Sequence, residues 1–170
     1  MDLSEQDLKK IKSLHVMLKM PIWILERETN RVLKSYKSIY KHPISYEFKE
    51  KNISDEVVRF YSGMLNEIFL CLWYQDVRIV IGAFRINNVT STEFSHVYDN
   101  LTPENKKILS EKECWEYYSS LPVYPLGDIR DYLILLGFLF DMNLEEIYSE
   151  ELHKQVGENQ LELVRKSAED

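Results

Sequence analysis

Cysteine is scarce in this chain: Cys71 and Cys114 are the only two among 170 residues. Two isolated cysteines build no disulfide framework, and a reducing cytoplasm suits them best. Lys and Arg are outnumbered, 21 against 28 Asp and Glu, for a net charge of −7 and a pI near 5.2. A nucleic-acid surface needs clustered cations, so this segment does not supply one, although a basic domain elsewhere in a longer protein is compatible with it. No uncharged run reaches the ~18 residues of a membrane helix. The N-terminus, MDLSEQDLKK, is charged and carries no apolar signal region. These absences describe a cytoplasmic chain with no membrane partner.

Chemical signatures are missing as well. His15, His42, His96, His153 and the two cysteines are far apart, with no CxxC or HExxH spacing, so no metal is assigned. The five glycines are dispersed and form neither a GxGxxG nor a Walker pattern. A GxSxG nucleophile elbow is absent too. Glu145-Glu146 and Glu150-Glu151 are carboxylate pairs on a charged helix, which is the pattern of a solvated face. Cys71 sits in an apolar run, where a thiol serves as a small core residue. Nothing points to haem. We therefore assign no catalytic residue and no cofactor, and expect a protein that is not an enzyme.

What is present is a core. Hydrophobic residues make up 45%, and eleven Tyr, seven Phe and three Trp give an aromatic-rich interior or pocket lining. That is enough for one ordinary domain. The central stretch is Asn66 to Ile86, NEIFLCLWYQDVRIVIGAFRI, which reads as two strands joined at Gln75-Asp76. A strand wet on one face alternates apolar and polar residues, and these two arms do not. Both faces should be covered, placing the pair at the centre of a sheet with helices against it. In the second arm, Val77 to Ile86, Arg78 is the only charge before Phe84. Gly82, inside the second arm, marks a bulge or a close approach of other atoms.

Taken in order, Ser4 opens a helix with Asp7 three residues on, and Leu8, Ile11, Leu14 and Leu18 recur along one face. Pro21 to Leu25 reads as a short buried strand, and Val32 to Ser38 alternates like a half-exposed hairpin partner. Many small sensory domains of the PAS and GAF type begin this way. Ile44, Tyr46 and Phe48 suggest a short edge strand. Ser54 is expected to cap a helix carrying Val57, Val58, Tyr61, Met64 and Leu65 on one side, weakened near its end by Gly63. Asn87 to Thr92 reads as a loop. Thr102-Pro103 starts one helix, and Ser110 to Glu113 caps another that Pro122 and Pro125 stop. The segment 127–140 predicts an apolar helix, striped by Ile129, Leu133, Leu136 and Phe140. Asn143 with Glu146 caps a further helix, and from Ser149 the chain is charged, with Leu152, Val156 and Leu163 near heptad spacing.

The PIWILERETNRVLKSY opening, the IVIGAFRI strand, the YYSSLPVYPLGDIRDYLILLGFLF segment and the charged exit together resemble one family. They look like the N-terminal regulatory domain of AraC-type transcription regulators from low-GC Gram-positive bacteria. The likeness covers about Leu14 to His153. Its most specific pieces are Ile81-Gly82 with Phe84, and Tyr118-Ser119-Ser120-Leu121-Pro122. One departure is Ala83, where the resemblance implies proline. The resemblance implies a ligand-sensing, dimerising domain that controls a C-terminal pair of helix-turn-helix motifs. DNA would be reached only through that part, for which residues 154–170 are too few and too acidic, so the chain is expected to be an excised sensor or a stand-alone relative. The expected fold is α/β (α+β), PAS/GAF-like, with a central antiparallel sheet of about five strands flanked by helices and a helical C-terminal part. Residues 1–153 would be the sensor and 154–170 a connector helix.

A ligand pocket is the sharper functional expectation. Trp23, Tyr36, Trp73, Tyr74, Phe84 and Arg85 fall on the expected strands, and aromatics with one cation would suit a small apolar or anionic ligand. Arg85 would orient a carboxylate or phosphate. Core packing of those aromatics is the alternative. The stripe Ile129, Leu133, Leu136 and Phe140 is open in the same way, either core or the interface of a homodimer. Two rival functions stand beside the sensor: an interaction module without a small ligand, and a small enzyme whose residues meet only in three dimensions.

Overall fold

The computed structural model describes residues 3–37 and 58–142. Helix α1 (Glu5–Leu18) starts where a reciprocal capping box closes it: the Asp7 amide donates to Ser4 Oγ at 3.1 Å, and the Ser4 amide donates to Asp7 Oδ2 at 3.3 Å. Lys19, in the left-handed region at φ 56, ends the helix before Pro21. Strands β1 (Ile22–Glu26) and β2 (Val32–Tyr36) form a hairpin, and β2 is half exposed as its alternation implies.

The next element corrects the sequence reading. Val58–Ser62 is a strand, β3, rather than part of a helix running on from Ser54. Val58 and Phe60 turn to one face and Arg59 and Tyr61 to the other, the period-two pattern of a strand. Val, Phe and Tyr suit a pleated surface, and pairing with the next strand satisfies a backbone edge that a helix would have left open. Gly63 follows in the β3–β4 turn, where a Cβ would run into the Glu67 carboxylate. Ser54 and the expected edge strand at Ile44, Tyr46 and Phe48 lie outside the described residues, as do the capped helix at Asn143, the charged exit, and the boundary at 153.

The central hairpin is β4 (Ile68–Tyr74) and β5 (Val77–Phe84), turning at Gln75-Asp76 as expected. All eight residues of β5 are buried. Both expected uses of Gly82 are present. The register shifts at Ile68/Phe69, and a Cβ on Gly82 would lie 2.6 Å from Phe69 Cδ1 and 3.0 Å from the Ile68 carbonyl oxygen. The Gly82–Ala83 peptide is cis.

Among the described residues the strands form one antiparallel sheet in the order β2-β1-β5-β4-β3. Five helices accompany it. With α1 come α2 (Ser91–Asp99), α3 (Pro103–Ile108), α4 (Glu111–Ser120) and α5 (Leu126–Phe140). The expected α/β class with a five-stranded antiparallel sheet is therefore the fold. The loop expected to run from Asn87 to Thr92 stops at Thr90, which caps α2 through the Glu93 amide at 3.2 Å. Thr102 and Ser110 cap α3 and α4 as expected.

Helices α1 and α5 pack on one face of the sheet. Ile11, Leu14 and Leu18 meet Ile22, Ile24, Ile79, Ile81, Leu70 and Leu72 in one core with Ile129, Leu133, Leu136 and Phe140. Each such side chain contributes about 1.5–3 kcal/mol by leaving water. Of the two readings open for the α5 stripe, the structure gives core: the four residues are at most 3% exposed within the single chain, so they are not available as a dimer face. Helices α2 to α4 gather a second, smaller core around Phe94, Cys114 and Tyr118.

Candidate functional site

The sheet's second face differs in chemistry from the first. Strand register places its side chains in rows. One row crosses Ser35, Trp23, Val80, Cys71 and Arg59 from β2 to β3. The next crosses Leu25, Arg78 and Trp73. On the other side of the first lie Gly82, Phe69 and Tyr61. The α1/α5 face carries aliphatic side chains at the equivalent central positions, whereas this one sets Trp23, Trp73, Arg78 and Arg59 among the apolar Leu25, Val80, Cys71 and Phe69.

Its most organised corner surrounds Trp73. Arg78, directly opposite on β5, stacks its guanidinium carbon 3.8 Å from the indole centroid, and Arg27 places its own 4.6 Å away. Both are cation–π distances. Arg78 is buried and donates from Nη1 to Asn30 Oδ1 at 2.7 Å. Asn30 is held by backbone: it adopts the left-handed region at φ 57, and its amide donates to the Glu26 carbonyl at 3.0 Å, closing the β1–β2 turn. Of the two carboxylates of that turn, Glu28 is exposed, and Glu26 Oε2 accepts from Thr29 Oγ1 at 3.0 Å and lies 3.4 Å from Arg31. Cys71 completes the adjoining row. Burial pushes its thiol up to about 12, with the Arg78 charge pulling the other way, so it stays a neutral thiol.

The six residues expected on the strands of one pocket are divided by the fold. Trp23 and Trp73 share the second face, with Trp23 6.4 Å from Phe69. Tyr36 and Phe84 belong to the opposite face, against the α1/α5 core, where Tyr36 meets His15 at 5.8 Å and Phe84 meets Tyr124 at 5.9 Å. Tyr74 is there too, donating to Asp7 Oδ1 at 3.1 Å and stacking on Phe140. Burial tends to raise the Asp7 carboxyl, but hydrogen bonds from Ser4 and Tyr74 outweigh it and hold Asp7 below the usual range.

Arg85 is a latch. Its Nε and Nη2 donate to the Leu121 carbonyl at 3.3 and 2.9 Å, and Nη2 also reaches the Ser119 carbonyl at 3.2 Å. Those are open carbonyls at the end of α4, which a cation suits. Its backbone continues the bridge: the Arg85 amide donates to the Pro122 carbonyl at 2.9 Å, and the Tyr124 amide donates to the Arg85 carbonyl at 2.7 Å. Tyr118 lies under the guanidinium at 5.3 Å, and burial pushes its hydroxyl up to about 12 against the pull of Arg85. The donors expected to hold an anion are thus turned to protein carbonyls.

Sequence reasoning missed Arg78, Arg59, Arg27 and Asn30. A signal for Arg78 existed: a two-residue turn at Gln75-Asp76 sets 73 opposite 78, so the lone cation of β5 had to face Trp73. An open groove of about 410 Å³ between α2 and α4, lined by Phe94, Glu111, Lys112 and Trp115, is a separate surface feature. Among the described residues no three His, Cys, Asp or Glu side chains come together as a metal-binding group, and no helix is long and apolar enough to cross a membrane. No family model, no curated protein and no solved structure matches the chain.

Proposed function

We propose that the chain is a sensor domain whose ligand is read by the Trp23–Trp73–Arg78 face of the sheet, and that it serves an AraC-type transcription regulator as its regulatory domain. The observation that carries the sensor reading is the contrast between the two faces. Packing alone is served by the aliphatic α1/α5 face, whereas burying guanidinium groups carries a desolvation cost that simple packing does not require. Rings flanked by a few oriented polar groups are how small-molecule sites are built. The regulator assignment and the homodimer rest on the sequence resemblance. The PAS/GAF analogy supplies the way of working, in which a ligand preferring one conformation shifts the helices that lead out of the sheet.

Thermal melting of the chain against a panel of small metabolites tests the sensor reading, because a compound that binds only the folded state raises the melting temperature. A concentration-dependent rise with at least one compound, reduced in Trp73→Phe, is expected. A panel without effect would leave the interaction-module reading ahead. Light scattering tests the dimer, which a mass of one chain at high concentration would exclude.

A further inference from the structure

Helix α5 is apolar on two sides, and the core takes only one of them. Ile129, Leu133, Leu136 and Phe140 face the sheet. Ile134, Leu135 and Phe138 recur on the opposite side at three, four and seven residues beyond Asp131, the spacing of a second stripe. Phe138 is 83% exposed, the most exposed large apolar side chain among the described residues, and none of these three belongs to a core there. Helix α1 runs beside α5 in the opposite direction. Lys10 Nζ donates to the Leu139 carbonyl at 2.8 Å near the end of α5, and the Tyr124 hydroxyl, just before its start, donates to the Leu18 carbonyl at 2.8 Å. Val16 and Met17 of α1, 64% and 61% exposed, extend the apolar surface away from the sheet. Single exposed apolar residues are ordinary, but a contiguous set marks an interface.

We propose that this outer face of α5, centred on Leu135 and Phe138, binds a second copy of the chain with the two α5 helices antiparallel. The proposal rests on the homodimer reading and names its interface. Charge selects the partner. On the flank towards α1, the exposed Asp128 and Asp131 stand near the start of α5, and Lys10, fixed by its bond to Leu139, stands near the end. On the flank away from α1, the exposed Arg130 and Asp141 stand at the same two ends with the signs exchanged. A two-fold axis between Leu135 and Phe138 packs each on the other in the partner. The same axis brings Asp128 and Asp131 towards the partner's Lys10, and Arg130 towards the partner's Asp141. Such a face is complementary to itself, as a closed dimer requires. A stable dimer buries about 800 Å² on each side, more than one helix face offers, so Val16 and Met17 belong to the contact. Glu5, Lys9, Lys12 and Lys19, the other exposed charges of α1, keep their heads in water at its rim.

The test is the mass of the full chain in solution, followed over a dilution series. The parent is expected to have the mass of two chains when concentrated and of one when dilute. Phe138→Glu should weaken that association by at least about tenfold, and, since the side chain is exposed, should melt as the diluted parent does. Asp131→Lys and Lys10→Glu should each dimerise about tenfold more weakly alone, because like charges then meet across the axis. Mixed in equal amounts, the two should form a heterodimer nearly as tight as the parent, a rescue that damage to either fold would not produce. A Phe138→Glu chain that dimerises as tightly as the parent would overturn this surface and leave the homodimer reading standing on another face. A mixture no tighter than its components would do the same. A parent that keeps the mass of one chain at every concentration would overturn the surface and the homodimer reading together. A monomeric Phe138→Glu that melts well below the diluted parent would also overturn the proposal, because the face would then be packed within its own chain, against residues 143–170.

Discussion

The two faces of the sheet share a backbone and differ in what they ask of their side chains. On the α1/α5 face the central positions hold Ile22, Ile24, Ile79, Ile81, Leu70 and Leu72, and two helices close over them. On the other, Trp23, Cys71, Trp73, Arg78 and Arg59 occupy the equivalent rows. Both sets are largely buried. Aliphatic burial is non-directional and tolerates rearrangement, whereas a guanidinium on an indole that also donates to an amide is oriented. Both faces bury apolar side chains, and the second adds oriented cation–aromatic contacts to them.

Substitutions separate the two. The largest effect is expected on the first face: Ile79→Ala, at a fully buried residue, should cost about 2–5 kcal/mol in urea denaturation and leave ligand affinity unchanged once the protein is folded. Trp73→Phe should cost less stability than Ile79→Ala and remove most of the binding. Next comes Arg85→Met, which removes the donors to Ser119 and Leu121. A loss of about 2 kcal/mol is expected, with hydrogen exchange rising at the end of α4 and ligand affinity intact. Lost affinity with unchanged stability would restore Arg85 to the binding site.

The smallest effect is a pH dependence. The Cys71 thiol has its folded pKa raised from 9.0 to about 12 by burial. The unfolded chain therefore releases that proton first, and stability that is fully present below pH 9.0 falls as pH rises towards 12. Tyr118 and Tyr124, both pushed up to about 12 from 10.0, add to the loss at the upper end. Urea midpoints measured across this range should fall less steeply in Cys71→Ala than in the parent. An identical slope would mean that Cys71 is not shielded as the structure places it.

How legible this was depended on whether the signal was local. The capped starts of α1, α3 and α4 and the apolar arms of β4 and β5 are local, and their positions follow from the residues. Val58–Ser62 was misread because five residues fit either period, and what decides the matter is β4's need for a partner. Helix α2 buries only Phe94 and Val97, too little for a stripe, and its Thr90–Glu93 start was the overlooked cue. The site was half legible. Listing aromatics by strand joined Trp23 and Trp73 to Tyr36 and Phe84, but side chains one position apart point to opposite faces, and only register sorts them. Arg85 looked like an anchor because its carbonyl partners lie 34 and 36 residues away in sequence.

The chain's three tryptophans allow one direct measurement of the claim that the second face receives a ligand. Trp23 and Trp73 lie on it, whereas Trp115 belongs to the α2–α4 core. In an NMR spectrum the three indole N–H signals can be followed together while the metabolite panel is added. Binding should shift the Trp23 and Trp73 signals and leave Trp115 in place. A ligand that shifts Trp115 alone would move the site to the α2–α4 groove and contradict the division of labour between the two faces.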